Sequence, residues 1–538
     1  MMLPLLALCL PTVRSFSSRT NRLAVIPIRQ RSTVTLAGSL RDLLENNTVD
    51  GRVNPGTMDI NGQEKAKATA TCRPVSTAVA TPPARSAAQP VISISDSFDG
   101  GNAEFSGLKL VDGEEDFCDV HVTVNIRKDP FTELESKEHF QYFSFRSTLN
   151  RDAPAMKGLF QGKKSIKVKY ILENAGEASY AHAFRGYSTF YTQTSPFDPD
   201  SWRRKDDTAF DGGALTWTHV HDLDSPTACF AYFPPYSYER HLGLVAKCAE
   251  SGVDATVRSL GQSVEGREID CVKVGNGPRT CWIIHRQHPG ESMAEFYAEG
   301  LLTRLLGLDG KWDSVAAKAK ELFTFHIVPN VNPDGSINGH LRTNAAGQNL
   351  NREWCPSPAP GGVEGAMYDA PTVERSPEVF SVLRAMDGTG CDVFLDVHGD
   401  EALPFNFLAG SEGMPVWCDR LRSLHGAFLA SYQRANPDMQ ARVSYEPDEP
   451  GQGMPHICSN QIAQRFDCLA GTLEMPFKEM HEDTPERRGE DGWGPDRARR
   501  LGASVLDPLC YVQPHLRGDG WSELTDESDA YIRPTDKY

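Results

Sequence analysis

Three features that would point to other classes of protein are missing from this 538-residue sequence. No apolar run approaches the roughly 20 residues that span a bilayer, which argues against a membrane as partner. Positive charge is in deficit, since the net charge is −17, which argues against nucleic acid as partner. The 13 cysteines include no Cys-x-x-Cys pair and are odd in number, so neither a disulfide framework nor a zinc ribbon is indicated. Core thiols in a reducing compartment are the simpler interpretation.

Acidic residues are also absent from the first forty positions, since the first of them is Asp42. Residues 1–40 are rich in Arg, Ser and Thr instead, a composition typical of an organellar transit peptide. The apolar run from Leu3 to Leu10 leaves a secretory signal open, although no positive charge precedes it, and a disordered leader is a third interpretation. We predict a mitochondrial or plastid location if the leader is a transit peptide, and a cytoplasmic one otherwise. Residues 41–92, rich in Ala, Thr, Pro and Ser, are typical of a low-complexity linker.

The remaining chain is long enough for two domains. Residues 93–234 contain short alternating segments such as FCDVHVTVNIRKD, separated by Gly, Asp, Asn and Pro, and this pattern predicts a β-sandwich. His219 and His221 share one face of a predicted strand in this region. Because no third metal ligand lies nearby in the sequence, we interpret them as a polar surface pair.

Short apolar segments alternate with amphipathic helical patterns over residues 235–515. The segments CWIIH, LFTFHIVP, CDVFLDVH and LAGTLEMPF have the length of buried strands. This order predicts an α/β domain with a mixed, mostly parallel sheet covered by helices. Residues 516–538 are interpreted as a tail.

Polar side chains follow several of these predicted strands. His288 comes three residues after CWIIH, His398 closes CDVFLDV, and Glu474 lies near the end of LAGTL. Ligands of such sheets bind outside the carboxyl ends of the strands, and a Pro-Gly turn lets Glu291 converge with His288. Two histidines and a carboxylate, with a fourth position left to water, form a catalytic zinc set, in which the pKa of the water falls to about 7. The pattern predicts one Zn²⁺ per chain, bound by His288, Glu291 and His398, and Glu474 as the general base.

A loop rich in Asn, Gly and Arg strengthens this hypothesis, because a lone His-x-x-Glu occurs often by chance. The loop runs from Val328 to Trp354 and contains Arg342, Asn351 and Arg352. Two guanidinium groups and an amide suit the recognition of a planar carboxylate, since arginine offers paired donors in a matching fork. An ordinary surface loop is the alternative.

Five segments occur in an order that resembles the zinc carboxypeptidases: HPGE, NPDG, NLNREW, DVHGDE and TLEMPFK. The resemblance is strongest to the cytosolic carboxypeptidase branch, in which a β-sandwich domain precedes the catalytic domain. It implies a zinc-dependent metallocarboxypeptidase that hydrolyses the carboxy-terminal residue of peptides or proteins. The resemblance also implies a role for each candidate site residue. His288, Glu291 and His398 would be the zinc ligands, and Glu474 the general base. Arg342 would polarise the scissile carbonyl, and Asn351 with Arg352 would bind the terminal carboxylate of the substrate.

Two positions depart from the pattern of the family. Asn349 stands where many relatives carry an Asp that supports the first zinc histidine, and an amide gives that imidazole less electrostatic support. The active-site tyrosine of the family has no clear counterpart; Tyr445 is the nearest candidate and stays unassigned.

The substrate is the least defined part of the hypothesis. Relatives often remove glutamate from acidic tails, so a deglutamylase acting on glutamate-rich tails is one candidate, with Arg465 or Lys478 as the residue that holds the departing side chain. Each of these two residues is alternatively a solvated surface charge. Two further functions remain open: a zinc amidohydrolase acting on N-acyl amino acids, and a catalytically silent protein that binds carboxy-terminal tails.

Overall fold

The computed structural model describes residues 90–111, 119–135, 137–154, 165–194, 198–252, 255–355, 370–481 and 492–524. The predicted leader, nearly all of the predicted linker and the end of the predicted tail lie outside these ranges. Within the ranges, no helix combines the length and the apolar character that crossing a membrane requires.

The amino-terminal part of the described chain is built from β-strands, which are β1 (Ile92–Ser95), β2 (Glu104–Leu110), β3 (Val120–Asn125), β4 (Ser144–Leu149), β5 (Ser165–Leu172), β6 (Phe190–Thr192), β7 (Arg203–Arg204), β8 (Ala209–Phe210), β9 (Leu215–Asp222) and β10 (Thr227–Ala231). They form two five-stranded sheets with the orders β1-β4-β10-β6-β7 and β2-β3-β5-β9-β8. The strict alternation of buried and half-buried residues in β3 and β5 explains why each sheet has an inner and an outer face.

Aromatic side chains join the two sheets into a sandwich. Tyr170 of β5 and Phe230 of β10 lie in different sheets, yet their ring centroids are 4.6 Å apart. Alternation places His219 and His221 on the inner face, where both are buried and where His221 Nε2 lies 2.7 Å from the Tyr170 hydroxyl. Burial lowers the pKa of His219 to about 3 and that of His221 to about 4, so both rings are neutral at pH 7. The interpretation as a surface pair is therefore wrong.

The second part of the chain is an α/β domain, whose strands are β11 (Ala255–Gln262), β12 (Glu268–Val274), β13 (Arg279–His285), β14 (Phe323–Val328), β15 (Val393–Val397), β16 (Phe407–Ala409) and β17 (Leu469–Glu474). They form one sheet with the order β11-β12-β14-β13-β15-β17-β16. The four strands from β14 to β17 in this order are parallel, and the three outer pairings are antiparallel. This confirms the predicted mixed sheet, with its parallel part confined to the centre.

The helices that accompany this sheet are α1 (Tyr238–Glu250), α2 (Met293–Leu306), α3 (Ser314–Leu322), α4 (Pro333–Asn338), α5 (Pro377–Thr389), α6 (Asp419–Ala435), α7 (Cys458–Phe466), α8 (Pro495–Ser504) and α9 (Leu506–Val512). The helices α8 and α9 follow each other directly, with a break at Val505. Pro508 has no backbone N–H to donate to the carbonyl of Ser504, so the helix is interrupted there.

The central strands are buried on both faces, as a sheet covered by helices requires. Every residue of β15 and β17 is buried, and the register pairs His285 with Val397 and Val397 with Leu473. The strands β13, β15 and β17 therefore end side by side, and the residues that follow them meet at one edge of the sheet.

The sandwich packs directly against the α/β domain close to this edge. Tyr232, just after β10, stacks on Phe477 with ring centroids 4.4 Å apart. Arg204 Nη2 donates to the carbonyl oxygens of Phe477 and Trp493, each at 3.0 Å. Because Phe477 follows β17 by three residues, these contacts hold the segment just beyond the edge where the strands end.

Candidate metal and catalytic site

Three buried side chains converge where β13 and β15 end. His288 Nδ1 lies 2.7 Å from Glu291 Oε1, and His398 Nδ1 lies 2.8 Å from Glu291 Oε2. The two imidazole Nδ1 atoms are 3.1 Å apart. The structure thus brings together His288, Glu291 and His398, the three residues that the sequence singles out as metal ligands.

The spacing and chemistry of these atoms fit a zinc ion. Ligand atoms on a tetrahedral zinc are separated by about 3.3 Å, given bond lengths of about 2.0 Å. Two neutral imidazole nitrogens and one carboxylate are a donor set that zinc prefers. The outer nitrogen of each ring faces another side chain: His288 Nε2 lies 3.1 Å from Asn349 Oδ1, and His398 Nε2 lies 2.9 Å from Asp396 Oδ2. Such contacts set the orientation of each ring and leave Nδ1 to face the metal.

The two imidazoles have different electrostatic surroundings. Burial and the nearby Arg342 guanidinium lower the pKa of His288 to about 4. Burial also lowers the pKa of His398, but the carboxylates of Asp396 and Glu291 outweigh it and hold that pKa well above its ordinary value. The partner of His288 Nε2 is the uncharged amide of Asn349, whereas the partner of His398 Nε2 is the carboxylate of Asp396.

Arg286 shapes the turn that carries the first two of these residues. Its backbone has a φ of 58°, which is uncommon for a residue other than glycine. Its guanidinium donates to the carbonyl oxygens of Pro289 and Tyr236, both at 2.9 Å, and to Glu295 Oε2 at 2.7 Å. These contacts hold the chain in the conformation that returns Glu291 to His288.

Glu474, the last residue of β17, lies beside the three converging side chains. Its Oε1 accepts a hydrogen bond of 3.0 Å from the Tyr445 hydroxyl, while its Oε2 is buried without a hydrogen-bond partner. Burial raises the pKa of Glu474 well above its ordinary value, and the negative charges of Glu291 and Asp400 act in the same direction. A carboxyl group in these surroundings is suited to accepting a proton and passing it on.

Tyr445, which the sequence left unassigned, lies beside Glu474. Its hydroxyl lies 2.7 Å from Asp400 Oδ2 as well as 3.0 Å from Glu474 Oε1. The hydroxyl has a single proton, so it can donate a full hydrogen bond to only one of the two carboxyl groups at a time. No spacing rule could have found Tyr445, because it lies in an irregular segment between α6 and α7.

The residues proposed to bind substrate line a cavity of about 830 Å³ together with His288, Glu291 and Glu474; they are Arg342, Asn351 and Arg352. Asn351 Oδ1 accepts a hydrogen bond of 2.9 Å from the backbone N–H of Cys458, which leaves the amide NH₂ group to donate into the cavity. Arg352 Nη1 donates to the backbone carbonyl of Asn351 at 2.8 Å. The cavity is therefore lined by guanidinium and amide groups of the kind that bind a carboxylate.

The two basic residues predicted to hold a departing side chain lie elsewhere. Arg465 forms an exposed pair with Asp387, with nitrogen–oxygen distances of 2.6 and 2.7 Å. Lys478 is buried, and its Nζ donates to the Arg185 carbonyl at 3.3 Å. Neither is among the residues that line the cavity. Other ionisable side chains do line it, and they include Asp400, Glu401, Glu412, Arg422, His425, Glu446 and Asp448.

Two family models match this chain. The model described as the cytosolic carboxypeptidase N-terminal domain matches residues 94–233, and that described as zinc carboxypeptidase matches residues 247–420. The first match covers the sandwich, and the second contains all three converging side chains.

Solved structures and curated relatives agree with these matches. The chain is 36% identical to a metallo-carboxypeptidase from Burkholderia cenocepacia, with a TM-score of 0.66 over 78% of this chain and 98% of that one. It is 35% identical to a metallo-carboxypeptidase from Pseudomonas aeruginosa, solved in complex with (2-guanidinoethylmercapto)succinic acid, with a TM-score of 0.64 over 79% of this chain and 100% of that one.

An uncharacterised protein of Zymomonas mobilis is 38% identical over 79% of this chain and 97% of its own length. Mouse cytosolic carboxypeptidase 6 is 27% identical, and the match covers 37% of this chain and 36% of the mouse protein. The chain therefore matches the bacterial relative over nearly its whole length and the mouse protein over about a third of its length.

Proposed function

Since the chain belongs to the zinc carboxypeptidase family and is a zinc-dependent metallocarboxypeptidase, we propose that the cavity described above is its active site. His288, Glu291 and His398 would hold the Zn²⁺ ion. The observation that carries this proposal is the convergence of these three side chains, within 3.1 Å for each contact, beside a cavity that His288, Glu291, Arg342 and Glu474 line.

Glu474 and Arg342 have separate roles in the proposed hydrolysis. A bound zinc ion supplies a water of lowered pKa and polarises a carbonyl group. Glu474 accepts the proton of the attacking water on its unpartnered Oε2 and delivers it to the departing amine. Arg342 places a positive charge beside the oxygen on which negative charge develops.

Recognition of the terminal carboxylate determines which peptide bond is cleaved. The Asn351 amide and the Arg352 guanidinium hold the terminal carboxylate, because arginine and amide N–H groups match its two oxygens. A substrate anchored in this way presents its last peptide bond to Glu474. The proposed reaction is therefore release of a single carboxy-terminal residue.

Digestion of a peptide library by the zinc-loaded full chain tests this function. We expect loss of one residue at a time from free carboxyl ends and no cleavage of the same peptides with amidated ends, which lack the carboxylate. Cleavage of N-acyl amino acids without cleavage of peptides would favour the amidohydrolase. Zinc binding and tail binding without turnover would favour the silent binding protein.

The narrower proposal is that glutamate is the residue released. It is supported by Arg422 and His425, two basic side chains of α6 that line the cavity. Acidic side chains line it as well, and the Pseudomonas relative was solved with a compound that carries a guanidine group, so release of a basic residue is the second candidate. Matched peptides ending in Glu, Gln, Lys and Leu separate the two: the glutamate proposal requires kcat/KM for Glu to exceed that for Gln and Lys.

The compartment is proposed from the leader alone. Its Arg-rich, acid-poor composition supports import into mitochondria or plastids. Imaging of the full chain fused to a fluorescent protein at its carboxyl end tests this proposal, with a variant lacking residues 1–40 as control. Equal cytoplasmic signal from both would contradict it.

A further inference from the structure

Asp129 of the sandwich domain binds a loop of the α/β domain through its side chain. Asp129 Oδ1 accepts a hydrogen bond of 2.7 Å from the backbone N–H of Leu341. Its Oδ2 accepts from the backbone N–H groups of Arg342 at 2.8 Å and Thr343 at 2.9 Å, and from the Thr343 hydroxyl at 3.1 Å. A single buried carboxylate thus receives four hydrogen bonds from three consecutive residues, with Arg342 in the middle.

This loop depends on such contacts because it lies outside the regular elements. It comprises residues 339–349, which follow α4 and contain neither helix nor strand, so its backbone N–H groups do not take part in a helix or a sheet. Two more bonds join the sandwich to the carboxyl end of α4: Gly100 N–H donates to the Ile337 carbonyl at 2.8 Å, and Asn102 Nδ2 donates to the Gly339 carbonyl at 2.9 Å. The sandwich therefore contacts the chain from the last turn of α4 to Thr343.

The same loop touches the metal site on its other side. The Leu341 carbonyl accepts a hydrogen bond of 3.0 Å from the N–H of Gly290, the residue before Glu291. A Cβ atom at Gly290 would lie 2.9 Å from that carbonyl oxygen, so the approach requires glycine. Thr343 forms an isolated antiparallel bridge with Asn349, whose amide contacts His288. A displaced loop would consequently shift the Arg342 guanidinium relative to the metal ligands.

We propose that Asp129 is a positioning residue for catalysis: it fixes the backbone at Arg342 so that the guanidinium is in place when charge develops on the scissile carbonyl. The proposal rests on the function assigned to Arg342 above. The sandwich domain is then part of the catalytic machinery, since the carboxylate that aligns Arg342 belongs to it.

The substitution Asp129→Asn tests this role with little change in volume. An amide keeps one acceptor oxygen but turns an NH₂ group toward N–H donors. We expect kcat to fall at least tenfold while KM changes less than threefold, because Arg342 acts in the transition state and the terminal clamp is untouched. The matched control is Asp207→Asn, which removes a carboxylate that also accepts from a backbone N–H and a hydroxyl, those of Thr218, but within the sandwich. It should leave kcat unchanged.

A double variant separates positioning from general loss of structure. In the Arg342→Ala background, Asp129→Asn should cause no further loss, since the group that it positions is absent. A merely structural role would lower the activity of both backgrounds by the same factor. Zinc content per chain should stay at the wild-type value. If Asp129→Asn does not fold, Asp129→Glu, which keeps the charge but moves it by one methylene, should show the same loss of kcat.

Hydrogen exchange provides a readout that needs no activity. The amides of residues 341–343 should exchange at least tenfold faster in Asp129→Asn than in wild type, and no faster in Asp207→Asn. An active wild type with unchanged kcat in Asp129→Asn, or a multiplicative loss in the double variant, would overturn this inference alone. A zinc-loaded wild type that cleaves no peptide would instead overturn the proposed function and the positioning role together.

Discussion

Tyr445 and Glu474 are joined by a hydrogen bond of 3.0 Å from the tyrosine hydroxyl to the carboxylate Oε1. This bond leaves Oε2 of Glu474 as the oxygen that can accept a proton inside the cavity. Because the same hydroxyl also reaches Asp400, Tyr445 connects the proposed base to a second buried acid. The hydrogen bonding of Glu474 and that of Asp400 therefore both depend on the single hydroxyl proton of Tyr445.

Removal of the Tyr445 hydroxyl should lower kcat/KM without loss of zinc. In Tyr445→Phe, Glu474 Oε1 loses its donor, and the carboxylate is free to turn away from the substrate. We expect kcat/KM to fall about tenfold, the effect of one lost hydrogen bond of about 1.4 kcal/mol. Steady-state kinetics on a good peptide substrate measures this, and unchanged kinetics would show that the bond has no part in the reaction. Tyr511→Phe, at an exposed position on α9, is the control.

Replacement of the proposed base should separate metal binding from turnover. Glu474→Gln keeps the size of the side chain and all three proposed zinc ligands, but an amide cannot take the proton of water. We expect kcat to fall by about 10² to 10⁴, with zinc content unchanged. Metal analysis and kinetics on the same preparation measure both quantities. An active Glu474→Gln enzyme would remove this residue from its assigned role; Glu321→Gln, in the exposed part of α3, serves as the control.

A substitution of Asn349, whose amide contacts His288, should strengthen zinc binding. In Asn349→Asp, a carboxylate would accept the Nε2–H of His288 and make its Nδ1 a stronger ligand. We expect zinc affinity to rise by about 10- to 100-fold, the usual size of such effects. Competition with a chelator of known affinity measures the change. Equal affinity would mean that the contact does not influence the metal; Asn436→Asp, distant from the three ligands in the chain, is the comparison.

Stability should depend on pH through His241 of α1. Its Nδ1 lies 2.7 Å from Glu295 Oε1 and its Nε2 lies 3.2 Å from Asp270 Oδ2. Burial lowers the pKa of His241, but the two carboxylates outweigh it and raise the pKa to about 9. A pKa above the unfolded value of about 6.5 gives stability that is complete below pH 6.5 and is lost as the pH rises through 9.

The free energy of unfolding should therefore fall by up to about 3 kcal/mol between pH 6.5 and pH 9.5 from this residue. Denaturant melts of wild type and of His241→Gln across this range measure the effect. The slope with pH should be steeper in wild type, because glutamine does not titrate. Parallel slopes for the two proteins would contradict the prediction.

Local patterns in the chain were sufficient for much of this molecule. Period-two alternation indicated the sandwich, and apolar segments separated by helical patterns indicated the α/β domain. The positions of His288, His398 and Glu474 beyond strands of one sheet predicted that they meet, because parallel strands end at the same edge. These inferences succeed because each depends on the period or the end of a regular element.

Other features required the folded chain. Alternation showed that His219 and His221 share a face but not that the face points inward, which the packing of Tyr170 and Phe230 decided. The hydrogen bond of Tyr445 to Glu474, and the bonds of Asp129 to the loop that carries Arg342, join an irregular segment to groups 29 and 213 positions away. Such segments have no repeat that constrains them, so their conformation follows from hydrogen bonds made only after the sandwich and the sheet have packed together. Sequence determined which groups meet at the strand ends, and tertiary packing determined which groups hold them there.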